Sequence, residues 1–196
     1  SYLGGNLNES SKDLKSKTAN GRANMADQQA YFESLMDGLE AASNGTDGVI
    51  LSGYLQSEST GKEWVQLIEK GLMGACFYHN LSTVYLGPGK MDVDNTTPEP
   101  GEYYTEMEHH WDEAYGYFTD DVNYDPMTAS GDRFWGKYAG GSREDVLGTA
   151  SGIYEAFRTG RAAISANDMD TRDQQISILR EHMEMAVGGT AIYYLN

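Results

Sequence analysis

Apolar residues recur at helical spacing in five stretches of the chain, separated by long polar intervals. From Asp27 onward Tyr31, Leu35, Leu39 and Ala42 lie three or four apart, with Asp27 as a cap and Asn44-Gly45 as a stop, which predicts a first helix. Residues 41–61 carry Gly45, Gly48, Gly53 and Gly61 around the β-prone run Val49-Ile50-Leu51, so an irregular excursion with at most a minor extended piece is expected. A long helix is predicted from Lys62 to about Leu86, with Trp64, Leu67, Ile68, Leu72, Ala75 and Cys76 as its buried stripe. Gly71 and Gly74 weaken an isolated helix and so imply close contact with a neighbour.

Pro88, Pro98 and Pro100 predict loop for about 15 residues, all four prolines falling outside helices, and a third helix should run from near Gly101 to about Phe118. The interval Thr119–Gly141 reads as a second loop, with the aromatic insertion Arg133-Phe-Trp-Gly-Lys-Tyr138 packing back on the body. Ser142-Arg-Glu-Asp145 has the form of a capping box opening a fourth helix, whose apolar face is Val146, Ile153, Phe157 and Ile164. A fifth follows Asn167-Asp-Met-Asp170, with Ile176, Leu179, Met183 and Val187 as its stripe, and runs toward the end of the chain. The expected fold is therefore all-α, a bundle of about five main helices with long irregular loops. Residues 1–25 read as a polar arm and 26–196 as one helical domain, within the length that a single core supports.

Charge narrows the function. With 30 acidic and 14 basic residues the net charge is −16, and no window gathers the Lys and Arg that track a phosphate backbone, which argues against nucleic acid. The lone Cys76 sits in an apolar run, so a disulfide framework is excluded and a core role expected. No stretch has the length and apolarity of a membrane span, and the opening residues do not read as a signal peptide.

The segment Glu106-Met-Glu-His109-His110-Trp-Asp-Glu113 carries the candidate chemistry. Spacings of three, four and seven align Glu106, His109, His110 and Glu113 on one helical face, while Met107, Trp111, Ala114 and Phe118 form an apolar one. Carboxylate and imidazole are ligands for iron, zinc and manganese, and one-turn Glu/His pairs build metal sites in bundles. Further ligands would come from a facing helix, with Glu69, His79, Glu155, His182 and Glu184 as candidates. The competing expectation is a polar layer in which the histidines bond backbone groups or Tyr hydroxyls. Asp92-Val-Asp94-Asn95 and Asn167-Asp168-Met-Asp170 lack the Gly and Glu of a calcium loop and read as turns and caps, and nucleophile-elbow, phosphate-loop and HExxH motifs are absent.

Four blocks, Glu63–Ala75, Met107–Phe118, Arg133-Phe-Trp135 and Gly160-Arg-Ala-Ala-Ile164, resemble a bacterial family known only as domain of unknown function 4856. That family is similar to the imelysin-like proteins: helical, exported, often lipoproteins of the outer membrane or periplasm, iron-regulated and once described as peptidases of the M75 type. Their hallmark is a helix-borne Gly-x-His-x-x-Glu. His110 and Glu113 match its last part, whereas Glu108 stands at the Gly position. The resemblance implies a longer parent protein and an extracytoplasmic metal-associated binding protein, for iron with zinc as the other candidate, in which His110 and Glu113 are the first-choice ligands and Glu106 and His109 co-ligands or supports. The rivals are a metal-dependent hydrolase and a self-associating surface component without a metal.

Overall fold

A computed structural model describes residues 13–20, 27–129 and 133–195. Among them are nine α-helices, five of seven residues or more, and one two-stranded sheet, so the chain is mainly helical as its periodicity predicts. The contacts divide it into two units, Ser1–His79 and Asn80–Asn196.

In the first unit, α1 (Leu14–Lys17) is a single capped turn and α2 (Gln28–Ser43) opens where Asp27 accepts the Ala30 N–H at 3.0 Å. The buried face of α2 is Phe32, Leu35 and Ala42, whereas Tyr31 is exposed, one position off the expected stripe. The extended piece is a full hairpin. Strands β1 (Gly48–Leu51) and β2 (Tyr54–Ser57) pair antiparallel through Ser52-Gly53, both at positive φ, as a two-residue hairpin turn demands. The predicted long helix is α-helical only as α3 (Trp64–Leu72). It continues as π1 (Met73–Tyr78), while π2 (Asn80–Tyr85) belongs to the second unit, so a hydrogen-bond ladder expected to be uniform widens after Leu72. Gly71 is a close approach as foreseen, since a Cβ there would lie 2.6 Å from the Phe32 ring. At Gly74 a Cβ would meet nothing within 4 Å among the described residues. Cys76 is buried with Met73, and burial pushes its thiol above the ordinary value. The rest of the expected N-terminal arm lies outside the described residues.

The second unit contains π2, α4 (Pro88–Met91), α5 (Glu106–Gly116), α6 (Phe134–Ala139), α7 (Ser142–Leu147), α8 (Thr149–Ser165) and α9 (Met169–Leu195). Helices α8 and α9 form a hairpin, and α5 packs on α8. Trp111, Phe118, Ile153, Phe157, Ile164, Leu179 and Met183 fill the core, each at most 2% exposed. Every one of these was on an expected apolar face. Val146 and Val187 were too, but stand exposed.

Three boundaries differ for identifiable reasons. Pro88 begins a helix, at the first position, where its missing N–H costs no bond. Helix α5 starts five residues later than Gly101, because Thr105 and Glu108 close a capping box in which each side chain accepts the other's backbone N–H. The capping box expected at Ser142 is not formed: Gly141 is the cap, and Gly148 in the left-handed region divides the fourth helix into α7 and α8.

Candidate functional site

The capping box fixes where α5 begins and hence which way its side chains face. Glu108 and Asp112 point toward α8, while Glu106, His109, His110 and Glu113 lie on the opposite side, toward Tyr85 and α4.

The α8-facing side is an anchor. Arg161 donates from Nη1 to Glu108 Oε1 at 2.5 Å and to Ser165 Oγ at 2.7 Å, and from Nε to Asp112 Oδ1 at 3.1 Å. Burial pushes the Glu108 carboxyl up, but hydrogen bonds from Ser165, the Thr105 N–H and Arg161, together with the Arg161 charge, outweigh it and hold the group below its ordinary value. At Asp112 burial wins and the carboxyl sits above its ordinary value, even though half its side chain still meets solvent. Beneath this network Trp111 donates to the Phe157 carbonyl at 3.0 Å. A Cβ at Gly160 would come within 2.1 Å of the indole, so only glycine fits there.

The other side carries the candidate chemistry. His110 is buried and sits between two carboxylates: Nδ1 is 3.2 Å from Glu113 Oε2, and Nε2 is 3.4 Å from Glu106 Oε1. Glu113 Oε2 also lies 3.6 Å from Nε2 of the half-exposed His109, whose ring stacks on Tyr104. Glu113 Oε1 accepts from the Tyr85 hydroxyl at 3.3 Å. The Lys90 ammonium is 3.2 Å from His110 Nε2 and lies 5.9 Å from the Tyr85 ring centre.

The elements presenting Tyr85 and Lys90 are held from α9. Arg180 donates to the carbonyls of Ser82 and Leu86, which the wide π turn leaves open, at 3.0 and 2.8 Å. The buried Arg172 donates to the Met91 carbonyl at the end of α4, at 2.7 Å. At Gly87, between them, a Cβ would meet the Thr83 carbonyl oxygen at 2.2 Å.

All four predicted residues thus come together, but not around one point. Glu106 and Glu113 address opposite nitrogens of the same imidazole, so they cannot share one ion with His110. Among the described residues no three His, Cys, Asp or Glu side chains already surround a common centre. The facing-helix candidates within the second unit do not complete it. Glu155 pairs with Arg158 at the surface, and His182 lies over Gly152, where a Cβ would stand 2.3 Å from the ring. Glu184 is exposed on α9.

Sequence reasoning missed Tyr85, Lys90 and Tyr104. The one local signal for Lys90 was Pro88 as a helix opener; Tyr85 and Tyr104 reach the site through tertiary contacts that no spacing encodes. The two possible calcium openings are caps: Asp94 accepts from Thr96 and Thr97, which lowers its carboxyl to about 2, and Asp168 accepts the Thr171 N–H at 3.1 Å.

Among the described residues no helix is long and apolar enough to cross a membrane. No curated protein and no solved structure matches the chain. The model of the family described as Domain of unknown function (DUF4856) matches residues 1–196. The chain therefore belongs to the DUF4856 family.

Proposed function

We propose that this domain is a metal-associated binding protein, for iron or zinc, acting outside the cytoplasm, with His110, Glu113 and His109 as the donors on one turn of α5. The observation that carries the reading is Glu113 Oε2, a single carboxylate oxygen 3.2 Å from His110 Nδ1 and 3.6 Å from His109 Nε2. Metal–ligand bonds of 2.0–2.2 Å place neighbouring donors about 3.3–3.6 Å apart in a tetrahedral shell, so these separations match in pairs. The donor types suit either metal. Full convergence requires a turn of His109, whose side chain is 47% exposed.

Glu106 takes the supporting role in this reading. In it His110 Nε2 carries the ring proton and faces Glu106 Oε1 at 3.4 Å, so that Nδ1 is the ligand, as in the carboxylate–histidine arrangement that orients metal-bound imidazoles. Three protein donors from one helix leave the rest of the coordination shell to exogenous ligands. That suits reversible binding better than a closed structural site. The extracytoplasmic setting and the preference for iron rest on the likeness of His110-x-x-Glu113 to the imelysin-like hallmark.

Lys90 and Tyr85 favour a second reading, in which the cluster is a finished polar layer without metal, beneath a surface that self-associates. In this reading His110 is the other tautomer, with Nε2 accepting from the Lys90 ammonium 3.2 Å away, and the Tyr85 hydroxyl donates to Glu113. Calorimetric titration of the metal-free 196-residue chain with Zn2+, and with Fe2+ under anaerobic conditions, separates the two. The metal reading expects one saturable site that is lost in the His110→Ala, Glu113→Ala double variant. Absence of saturable binding, or equal binding by the double variant, leaves the polar layer.

A further inference from the structure

On the anchoring side of α5 a cavity of about 450 Å³ opens between α5 and α8. Its floor is the buried Phe157, and Tyr115 and Tyr154 wall it as half-buried rings, Tyr115 meeting Phe157 edge to face at 5.3 Å. The size is that of a small-molecule site, and the apolar lining with few polar groups is the usual composition of one.

The polar groups at the rim have a specific form. Arg161 is fixed through Nη1 and Nε, which leaves both N–H groups of Nη2 without a partner among the described residues. Its partner Asp112 accepts through Oδ1, leaving Oδ2 as a second, adjacent acceptor. A donor pair and an acceptor therefore stand side by side, pre-oriented, next to aromatic rings.

Charge selects the ligand. Arg161 is balanced by Glu108 and Asp112, and Arg158 at the rim by Glu155, so the pocket has no surplus of positive charge. The chain as a whole, at −16, repels anions. What fits is a neutral molecule with neighbouring hydroxyls, one accepting from a guanidinium and one donating to a carboxylate, together with a face of C–H groups to lie on aromatic rings. We propose that the cavity between α5 and α8 is a saccharide-binding site, read by Asp112 and Arg161 and walled by Tyr115 and Tyr154. It lies on the opposite side of α5 from His110 and does not depend on a metal there.

The test is a saturation-transfer NMR and calorimetric screen of the 196-residue chain against glucose, galactose, N-acetylglucosamine, maltose and cellobiose, with benzoate as the anionic aromatic control. At least one sugar should bind saturably in the millimolar range or tighter. Asp112→Asn should weaken it about tenfold, through loss of a hydrogen bond to a charged group. Tyr154→Ala should weaken it similarly, with thermal unfolding curves showing that both variants fold, and the His110→Ala, Glu113→Ala variant should bind sugar as the parent does. The proposal is overturned if no sugar saturates up to tens of millimolar, if benzoate binds in preference to every sugar, or if sugar binding survives both pocket substitutions unchanged.

Discussion

The two faces of α5 use the same residue types and build different things with them. Toward α8, Glu108 and Asp112 meet a guanidinium that belongs to another helix, and each contact ties two elements separated by about fifty positions in sequence. Toward Tyr85, Glu106, His109, His110 and Glu113 mostly meet one another, one turn apart on the same helix. Bonds within one helix add little to a fold that the backbone already specifies. Carboxylates on the first face hold helices together; on the second they hold imidazoles in position. In the metal reading this alignment within one helix, with His110 buried and His109 half-exposed, is what presents the donors.

The largest expected effect lies on the anchoring face. Trp111→Ala should destabilise the chain by about 3–5 kcal/mol, because it removes a side chain only 1% exposed together with its bond to the Phe157 carbonyl. Urea unfolding measures it, and a loss below the cost of an ordinary surface change would break the contrast between the faces. Next comes Glu108→Gln, which keeps the shape and removes the charge opposite Arg161, for about 2 kcal/mol at neutral pH. The folded carboxyl is held below its ordinary value of 4.5, so its contribution is complete above that value and fades as pH falls through the lower folded one. Stability curves of parent and variant should therefore converge in acid.

The opposite face should respond in binding rather than in stability. Lys90→Met should change the unfolding free energy by no more than about 1 kcal/mol, the net worth of one hydrogen bond. The same change should tighten Zn2+ binding about tenfold by removing a positive charge beside His110. Unchanged affinity would mean that the metal, if bound, does not approach this imidazole. The smallest effect is at Asp94, which is exposed: the amide signals of Thr96 and Thr97 should titrate near pH 2 with its carboxyl and stop doing so in Asp94→Asn.

The core was legible because burial is periodic. Ile153, Phe157, Ile164, Leu179 and Met183 were all on predicted stripes, and all are buried. That Glu106, His109, His110 and Glu113 share one helix face was legible for the same reason, since it follows from spacing alone. Thr105-x-x-Glu108 was a readable start signal for α5, masked by the prolines before it. Not legible was the widening at Met73, where residues that suit an α-helix equally well adopt π geometry. Nor could spacing tell that Glu106 and Glu113 approach His110 from opposite sides, because that depends on how the ring turns. Arg161, Arg172 and Arg180 gave no local signal at all, their carboxylate and carbonyl partners being set by how α8 and α9 pack.

The measurement that bears most directly on the metal reading is a long-range 1H–15N correlation spectrum of the imidazole rings of His109 and His110, recorded on the metal-free chain and after one equivalent of Zn2+. Metal bound as proposed shifts His110 Nδ1 and His109 Nε2, while His110 Nε2 carries the ring proton and does not shift as a ligand. Rings whose four nitrogens stay where they were, or a shift at His110 Nε2 in place of Nδ1, would contradict it.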